Sequence, residues 1–269
     1  MADYQENYVL NKRLKLSHLP NGFKTSMDSV FLASACPAQA GDKLLDLGAG
    51  VGGAGLCVLA RVDGVRLTGV EIQPEQVALA THNAVTNGYE EQCEFICTDI
   101  RDICDKQRRS LATLSEDEKQ RRSPATLSDN HKAFNHVIIN PPYLESGTHL
   151  RSPHQEKAIA MGHDDDSFNI QHWVDAAFYC LKPKGTVTII HRTDYLDNII
   201  QALKNKNFGA IEVFPLWPKQ NIASKRVIIR ASRERKSPFT LHSGLILHNE
   251  DGAYTSAADD ILREAQSLF

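Results

Sequence analysis

The sequence predicts an α/β fold, a seven-stranded, mostly parallel sheet with an antiparallel edge pair and helices on both faces. Two patterns predict it. From Lys43 onward, short apolar β-rich runs alternate with helical patterns, as in chains that build a parallel sheet through crossover helices. Runs such as HVII and TVTII are apolar without alternation, which suits strands covered on both faces.

The expected strands are Lys43 to Gly48, Arg66 to Ile72, Cys93 to Ile100, His136 to Pro142, Gly185 to Arg192, Ala210 to Leu216 and Lys225 to Ala231. Helical patterns fill most gaps: Gly53 to Ala60, Pro74 to Asn87 with Gly88 as a stop, Ser167 to Leu181, and Asp194 to Lys206. Only a short loop around Pro218 separates the last two strands, so they should pair antiparallel at one edge. A polar, helical lead-in over residues 1–40 precedes a main domain over 41–236. Residues 237–269 read as a hairpin around Asp251 and Gly252 and a helix from Ser256, packed on the same domain.

Composition narrows the class. The chain has 269 residues, 42% hydrophobic and 23% charged, values at which a sizeable core forms without staples. No run reaches the ~18 apolar residues of a membrane helix, and MADYQENYVL has no apolar signal core, so a cytoplasmic protein is expected. Six scattered cysteines (Cys36, Cys57, Cys93, Cys97, Cys104, Cys180) form no CxxC pair and read as reduced and structural. The cluster Cys93, Cys97, Cys104 lacks the tight-turn spacing of a zinc knuckle, and no metal is expected.

The alternation breaks once. KQRRSLATLSEDE (106–118) is followed by KQRRSPATLSDNH (119–131), a tandem copy identical at nine of thirteen positions. Two copies are too few for a solenoid, so the simpler reading is a duplicated surface connection, and the rival is a basic arm that touches RNA phosphates. The insert carries net +2 and the whole chain −3, leaving −5 for the rest. Any nucleic acid must therefore be held by local patches.

Asp46-Leu-Gly48-Ala49-Gly50-Val-Gly52-Gly53 ends the first expected strand and opens a helix. Glycines there let the backbone turn and approach a ligand beside the positive end of a helix. Gly48, Gly50 and Gly53 also fit GxGxxG, and Glu71 lies about 20 residues on, as in NAD enzymes; strand-to-helix packing without a ligand is the plain alternative. Asp46 favours another ligand, since a carboxylate there repels a pyrophosphate and suits a cation such as the methionine end of S-adenosylmethionine (SAM). Glu71 and Asp99 close the next two strands, placed for ribose hydroxyls and an adenine amino group. Singly, each acid reads as a strand end or cap; the series on one sheet edge reads as a site.

The fourth strand ends in Asn140-Pro141-Pro142-Tyr143. Two prolines cannot donate to a ladder, so the strand stops there as a rigid platform. The Asn140 side-chain oxygen and the Pro141 carbonyl can both accept hydrogen bonds from one amino group, while Tyr143 can lie on a planar ring. Two acceptors on its protons turn the lone pair of an exocyclic amine toward a methyl donor, with no metal.

DLGAGVGG, GVEIQP, ICTD and NPPY together resemble the class I SAM-dependent methyltransferases that modify amino groups. GFKTSMDSVFLASA (Gly22 to Ala35), LKPKGTVTIIHR and LILHNEDGAYT extend the likeness to the tRNA(Val) adenine N(6)-methyltransferase-like, small-domain group. The resemblance implies a Rossmann-like methyltransferase domain over 41–236 whose SAM is held by Asp46, Gly48, Ala49, Gly50, Gly52, Glu71, Ile72, Asp99, Ile100 and Asn140. Lys24, Thr25, Ser26 and Asp28 would close over it. It implies Asn140, Pro141, Pro142 and Tyr143 as the catalytic set, and adenine of a tRNA as the substrate. Related enzymes with NPPY modify DNA, other RNA or a protein glutamine; from another class, a non-catalytic nucleotide-binding RNA module remains. The tandem insert departs from the usual pattern.

Residues near the expected substrate are Tyr143, His191, Arg192 and Arg226. The basic cluster Lys219, Lys225, Arg226, Arg230, Arg233, Arg235 and Lys236 reads equally as an RNA track or as solvated charge. His163-Asp164-Asp165-Asp166 reads as helix capping rather than a metal site. Trp173 and Trp217 read as core or pocket wall.

Overall fold

The computed structural model describes residues 4–20, 25–105, 132–142 and 169–269. Lys24, Tyr143, the tandem insert and the His163 to Asp166 run lie outside these residues. In chain order the elements are β1 (Gln5–Val9), β2 (Leu14–His18), α1 (Met27–Ala35), β3 (Lys43–Leu47), α2 (Gly53–Arg61), β4 (Arg66–Glu71), α3 (Pro74–Thr86), β5 (Cys93–Cys97), α4 (Ile100–Asp105) and β6 (Phe134–Ile139). Then follow α5 (Ile170–Cys180), β7 (Leu181–Arg192), a 3-10 turn (Thr193–Tyr195), α6 (Leu196–Asn205), β8 (Phe208–Trp217), β9 (Arg226–Arg233), β10 (Thr240–Leu241), β11 (Leu245–Ile246) and α7 (Ser256–Glu264).

The main sheet runs β10-β8-β9-β7-β6-β3-β4-β5, with β11 also on β8. Neighbours among β5, β4, β3, β6 and β7 are parallel, and β9 pairs antiparallel with both β7 and β8. The first parallel strand, β3, lies at the centre, and the chain steps out to β4 and β5 before returning to β6 on its other side. That is a topological switch point, where the carboxyl ends of two strands leave a crevice for a ligand. One core, under α1, α2, β2 and α7, covers one face; the other, under α4, α5 and α6, covers the opposite face. The continuous apolar runs of β3, β6 and β7 follow from this double cover.

The architecture is the expected one, with local corrections. The lead-in, expected to be helical, starts as the antiparallel hairpin β1–β2, in which Leu14 and Leu16 are fully buried. The third parallel strand stops at Cys97 rather than Ile100, because Asp99 turns the chain. Its carboxylate accepts the Arg101 amide at 2.8 Å and its carbonyl the Asp102 amide, so Ile100 opens the unexpected short helix α4. Strand β7 begins at Leu181, four residues before Gly185, directly out of α5; a register shift between Phe134 and His136, with Lys184 at φ 64°, absorbs the intervening residues. Among the described residues the seven expected strands are joined by two short ones. Two-residue β10 and β11 pair parallel with β8 and cover an edge that would otherwise stand open. Beyond them His248 pairs with Tyr254 across the Asp251–Gly252 turn, the expected hairpin, and α7 packs on α1.

Candidate active site

Strand β3 ends at Leu47, and the chain turns through Gly48 to Gly52 into α2. The Gly48 and Ala49 amides both donate to Val70 O of β4, at 2.8 and 2.9 Å, which holds the loop against the neighbouring strand. Gly48 sits at φ 70°, and a Cβ there would lie 2.7 Å from the Trp173 ring. Gly50, at φ 53°, has nothing within 4 Å of the Cβ position. The loop is thus closed on the Trp173 side and open above Gly50.

The three acids at successive strand ends occupy different environments. Glu71 is the one that meets the loop: Oε2 accepts the Gly50 amide at 3.0 Å and Oε1 the Gln73 amide at 3.0 Å. Each oxygen keeps acceptor capacity beyond its one backbone bond. Ile72 beside it is half exposed (51%), an apolar surface next to a buried carboxylate. Asp46 points beneath the loop instead; it is 2% exposed and its Oδ2 accepts the Gly55 amide in the first turn of α2 at 3.0 Å. Burial, only partly offset by that bond and reinforced by the charge of Glu71, pushes its carboxyl up to about 7. Asp99 is clamped by Arg101, whose Nε lies 3.1 and 3.0 Å and Nη2 2.6 Å from its oxygens, an engagement the sequence did not signal.

From the opposite side the segment before α1 reaches the start of α2. A Cβ on Gly53 would lie 2.4 Å from Thr25 Oγ1, so the two residues are in close contact. Among the described residues, Thr25 Oγ1 and Asn7 Oδ1 are buried without a hydrogen-bond partner. Ser26 caps α1 through its carbonyl, which accepts the Ser29 amide, without a side-chain bond. Asp28 is buried and accepts from Arg226 Nε at 3.1 Å, tying α1 to the start of β9.

Register places the NPP segment. Leu47 of β3 pairs with Ile139 of β6, so Gly48 and Asn140 are the next residues on adjacent strands. Ile139 pairs in turn with Ile189 of β7, and Arg192 with Arg226 of β9. Asn140, Pro141, Pro142, His191, Arg192 and Arg226 therefore stand along the same sheet edge as the glycine loop. His191 is buried and its ring lies 4.9 Å from that of Tyr195. Burial, with Arg192 and Arg226 nearby and Asp194 opposing, pushes its imidazole down to about 4, so it is neutral at pH 7. Arg192 is paired with Asp194.

The basic cluster does not form a track. Arg233 is buried, donates to Phe178 O and Leu181 O at 2.8 and 2.6 Å, and stacks 4.1 Å over the Phe178 ring. Arg230 binds Glu212 at 2.7 Å and lies 3.9 Å over the Phe269 ring; Lys219 donates to Glu250 O at 2.8 Å. Lys225, Arg235 and Lys236 are exposed. Trp217 donates to Ser243 O at 3.0 Å, anchoring the C-terminal segment. Among the described residues no group of three or more His, Cys, Asp or Glu is disposed to hold a metal, and no helix is long and apolar enough to cross a membrane. Cys36 and Cys57, pushed by burial to about 11 and about 12, are inert core thiols.

The residues around the loop fit SAM. The space above Gly50 admits close approach, Glu71 offers acceptors for hydroxyls, Ile72 an apolar face, and the Thr25 hydroxyl, without a partner among the described residues, lies beside the start of α2. Comparison with known proteins agrees. Residues 23–113 match the model of the Methyltransferase small domain family. That segment of the chain is similar to a methyltransferase small domain. Over 255 residues it is 24% identical to the tRNA1(Val) (adenine(37)-N6)-methyltransferase of Shewanella sp. (strain MR-4), covering 94% of this chain and 96% of that one. The enzyme of the same name from Shewanella baltica (strain OS195) is 22% identical over 254 residues, with 94% and 96% covered. Among solved structures, a predicted O-methyltransferase from Agrobacterium tumefaciens superposes with a TM-score of 0.67 at 22% identity, covering 90% of this chain and 98% of that one. A SAM-dependent O-methyltransferase from Thermotoga maritima gives 0.51 at 17% identity, covering 83% and 68%. The matched segment and the relatives' names support a SAM-dependent methyltransferase, and the solved structures share its fold.

Proposed function

We propose that this methyltransferase modifies the exocyclic N6 amino group of an adenine in tRNA. The observation that carries the proposal is the register of β3 and β6, which sets Asn140-Pro141-Pro142 beside the loop that would hold the methyl donor. The named activity of the Shewanella relatives, matched over nearly the whole of both chains, supports the same acceptor.

In this reading Glu71 accepts the ribose hydroxyls while its Gly50 bond keeps the loop in place. Asp46 holds the start of α2 from beneath the loop through the Gly55 amide, and Thr25 and Asp28 close the site from the α1 side. Asp99, with Ile72 and Ile100 about it, receives the adenine amino group of the cofactor. Bound SAM supplies an electrophilic methyl on a sulfonium. That methyl would pass to the acceptor nitrogen in a single displacement, the electron pair of the carbon–sulfur bond staying on sulfur and the nitrogen's surplus proton going to solvent. Asn140 and the Pro141 carbonyl orient the amino group by accepting from its two protons, and proline rigidity keeps that geometry at low entropic cost. His191, neutral at pH 7, adds no charge that would repel the sulfonium. Of the basic cluster on and around β9, Lys225, Arg235 and Lys236 are exposed and would meet phosphates.

The test is mass spectrometry of nucleosides from tRNA of cells with and without the gene, and of tRNA from the deletion strain after incubation with the purified protein and SAM. Loss and in vitro restoration of N6-methyladenosine are expected. Label from SAM appearing in protein instead would overturn the tRNA assignment in favour of a glutamine acceptor.

A further inference from the structure

The N-terminal hairpin is held by an arrangement that also reaches the cofactor loop. Among the described residues the outer edge of β2 has no strand partner; two asparagines one turn apart, Asn83 on α3 and Asn87 at its C-terminal cap, take that place. Asn87 Oδ1 accepts the Lys15 amide at 2.9 Å and its Nδ2 donates to Lys15 O at 2.8 Å. Asn83 repeats the pattern at Ser17, with 2.8 and 3.0 Å. A spacing of four on the helix matches a spacing of two on the strand, so two side-chain amides complete the backbone pairing that a third strand would supply.

Asn83 makes one bond that Asn87 does not. It is fully buried, and its Nδ2 also donates to Val51 O at 3.0 Å, inside the loop between Gly50 and Gly52. Ala80, one turn back on the same helix face, packs against Gly52. Asn7 of β1 adds a second link from the hairpin, donating to Thr25 O at 3.5 Å. Resting on the reading of this loop as the SAM site, we infer that Asn83 is a positioning residue that locks the loop to the docked hairpin, which makes residues 5–18 a working part of cofactor binding. Any interaction that couples the two is reciprocal, so SAM must in turn tighten the hairpin.

The test compares two variants of the full chain by calorimetry with SAM. Asn83→Ala and Asn87→Ala each remove two hydrogen bonds to β2; only Asn83→Ala removes the bond to Val51. Asn83→Ala is expected to weaken SAM binding about tenfold and to raise the KM for SAM with little change in kcat, and Asn87→Ala to alter affinity less than about twofold. Equal effects, or unchanged affinity in a folded Asn83→Ala chain, would overturn the inference. Should Asn83→Ala fail to fold, amide exchange on the wild type decides: SAM should slow exchange at Lys15 and Ser17, and unchanged rates there refute the coupling. A wild-type chain that binds no SAM overturns the reading of the site and the inference with it, a result distinct from wild-type binding with equal variants.

Discussion

Gly48 and Gly50 have positive φ and face opposite surroundings, so the same substitution should act differently at each. Gly48→Ala adds a contact of 2.7 Å with Trp173 to its backbone strain, and should cost about 3 kcal/mol in denaturant unfolding as well as SAM affinity. Gly50→Ala carries only the strain, about 1 kcal/mol. Its methyl group enters the open space above the loop, so calorimetry should show SAM affinity falling about tenfold or more with the fold intact. Asp46 makes stability depend on pH. Its carboxyl is raised from 3.8 to about 7, so between those values the folded state holds a proton that the unfolded state has released, and stability falls as pH rises through that window. Asp46→Asn keeps an acceptor for the Gly55 amide and should flatten the decline in Tm from pH 4 to 7, measured by calorimetric scans. At Asn140, substitution by Ala removes one of two acceptors for the substrate amine. Methyl transfer should fall about a hundredfold or more while SAM binding stays within about twofold, measured by single-turnover label transfer and calorimetry.

Among the elements, β9 shows how residue type and placement part company. Arg226, Arg230 and Arg233 read as a basic segment, yet each serves a different neighbour: α1 through Asp28, β8 through Glu212, and the end of α5 through Phe178 O and Leu181 O. Arg233 in effect caps α5, taking carbonyls that the helix leaves without partners. Arg233→Met should therefore lower unfolding free energy by about 2–4 kcal/mol, whereas Arg235→Ala, on the exposed residue two positions on, should stay within about 0.5 kcal/mol; urea titrations separate the two. The parallel strands were legible because burial on both faces leaves an unbroken apolar run. The hairpin β1–β2 was not, since QENYV carries one clear apolar residue and the outer edge of β2 is satisfied by asparagines 66 and 72 positions away. Strands β10 and β11 are two residues each, too short for any period to register.

For the whole molecule, the switch point between β3 and β6 gathers the site from segments that are far apart in sequence. SAM bound there touches the folded state alone, so at a hundredfold excess over its Kd it should stabilise the chain by about 2.7 kcal/mol. A rise of several degrees in Tm, seen in thermal scans with SAM and absent with NAD, is the expected outcome. Sequence by itself determined the order of strands and helices, the glycine loop, the acids Asp46, Glu71 and Asp99, and the strand end at Asn140, because glycine, proline and apolar runs impose local backbone constraints that need no partner to be read. Only the tertiary structure decided which acid meets the loop, that Asp46 is buried beneath it, that Arg101 holds Asp99, and that the arginines of β9 are internal braces. Those outcomes depend on which side chains the topology brings within hydrogen-bond reach, and on the desolvation of each, neither of which is written in local pattern.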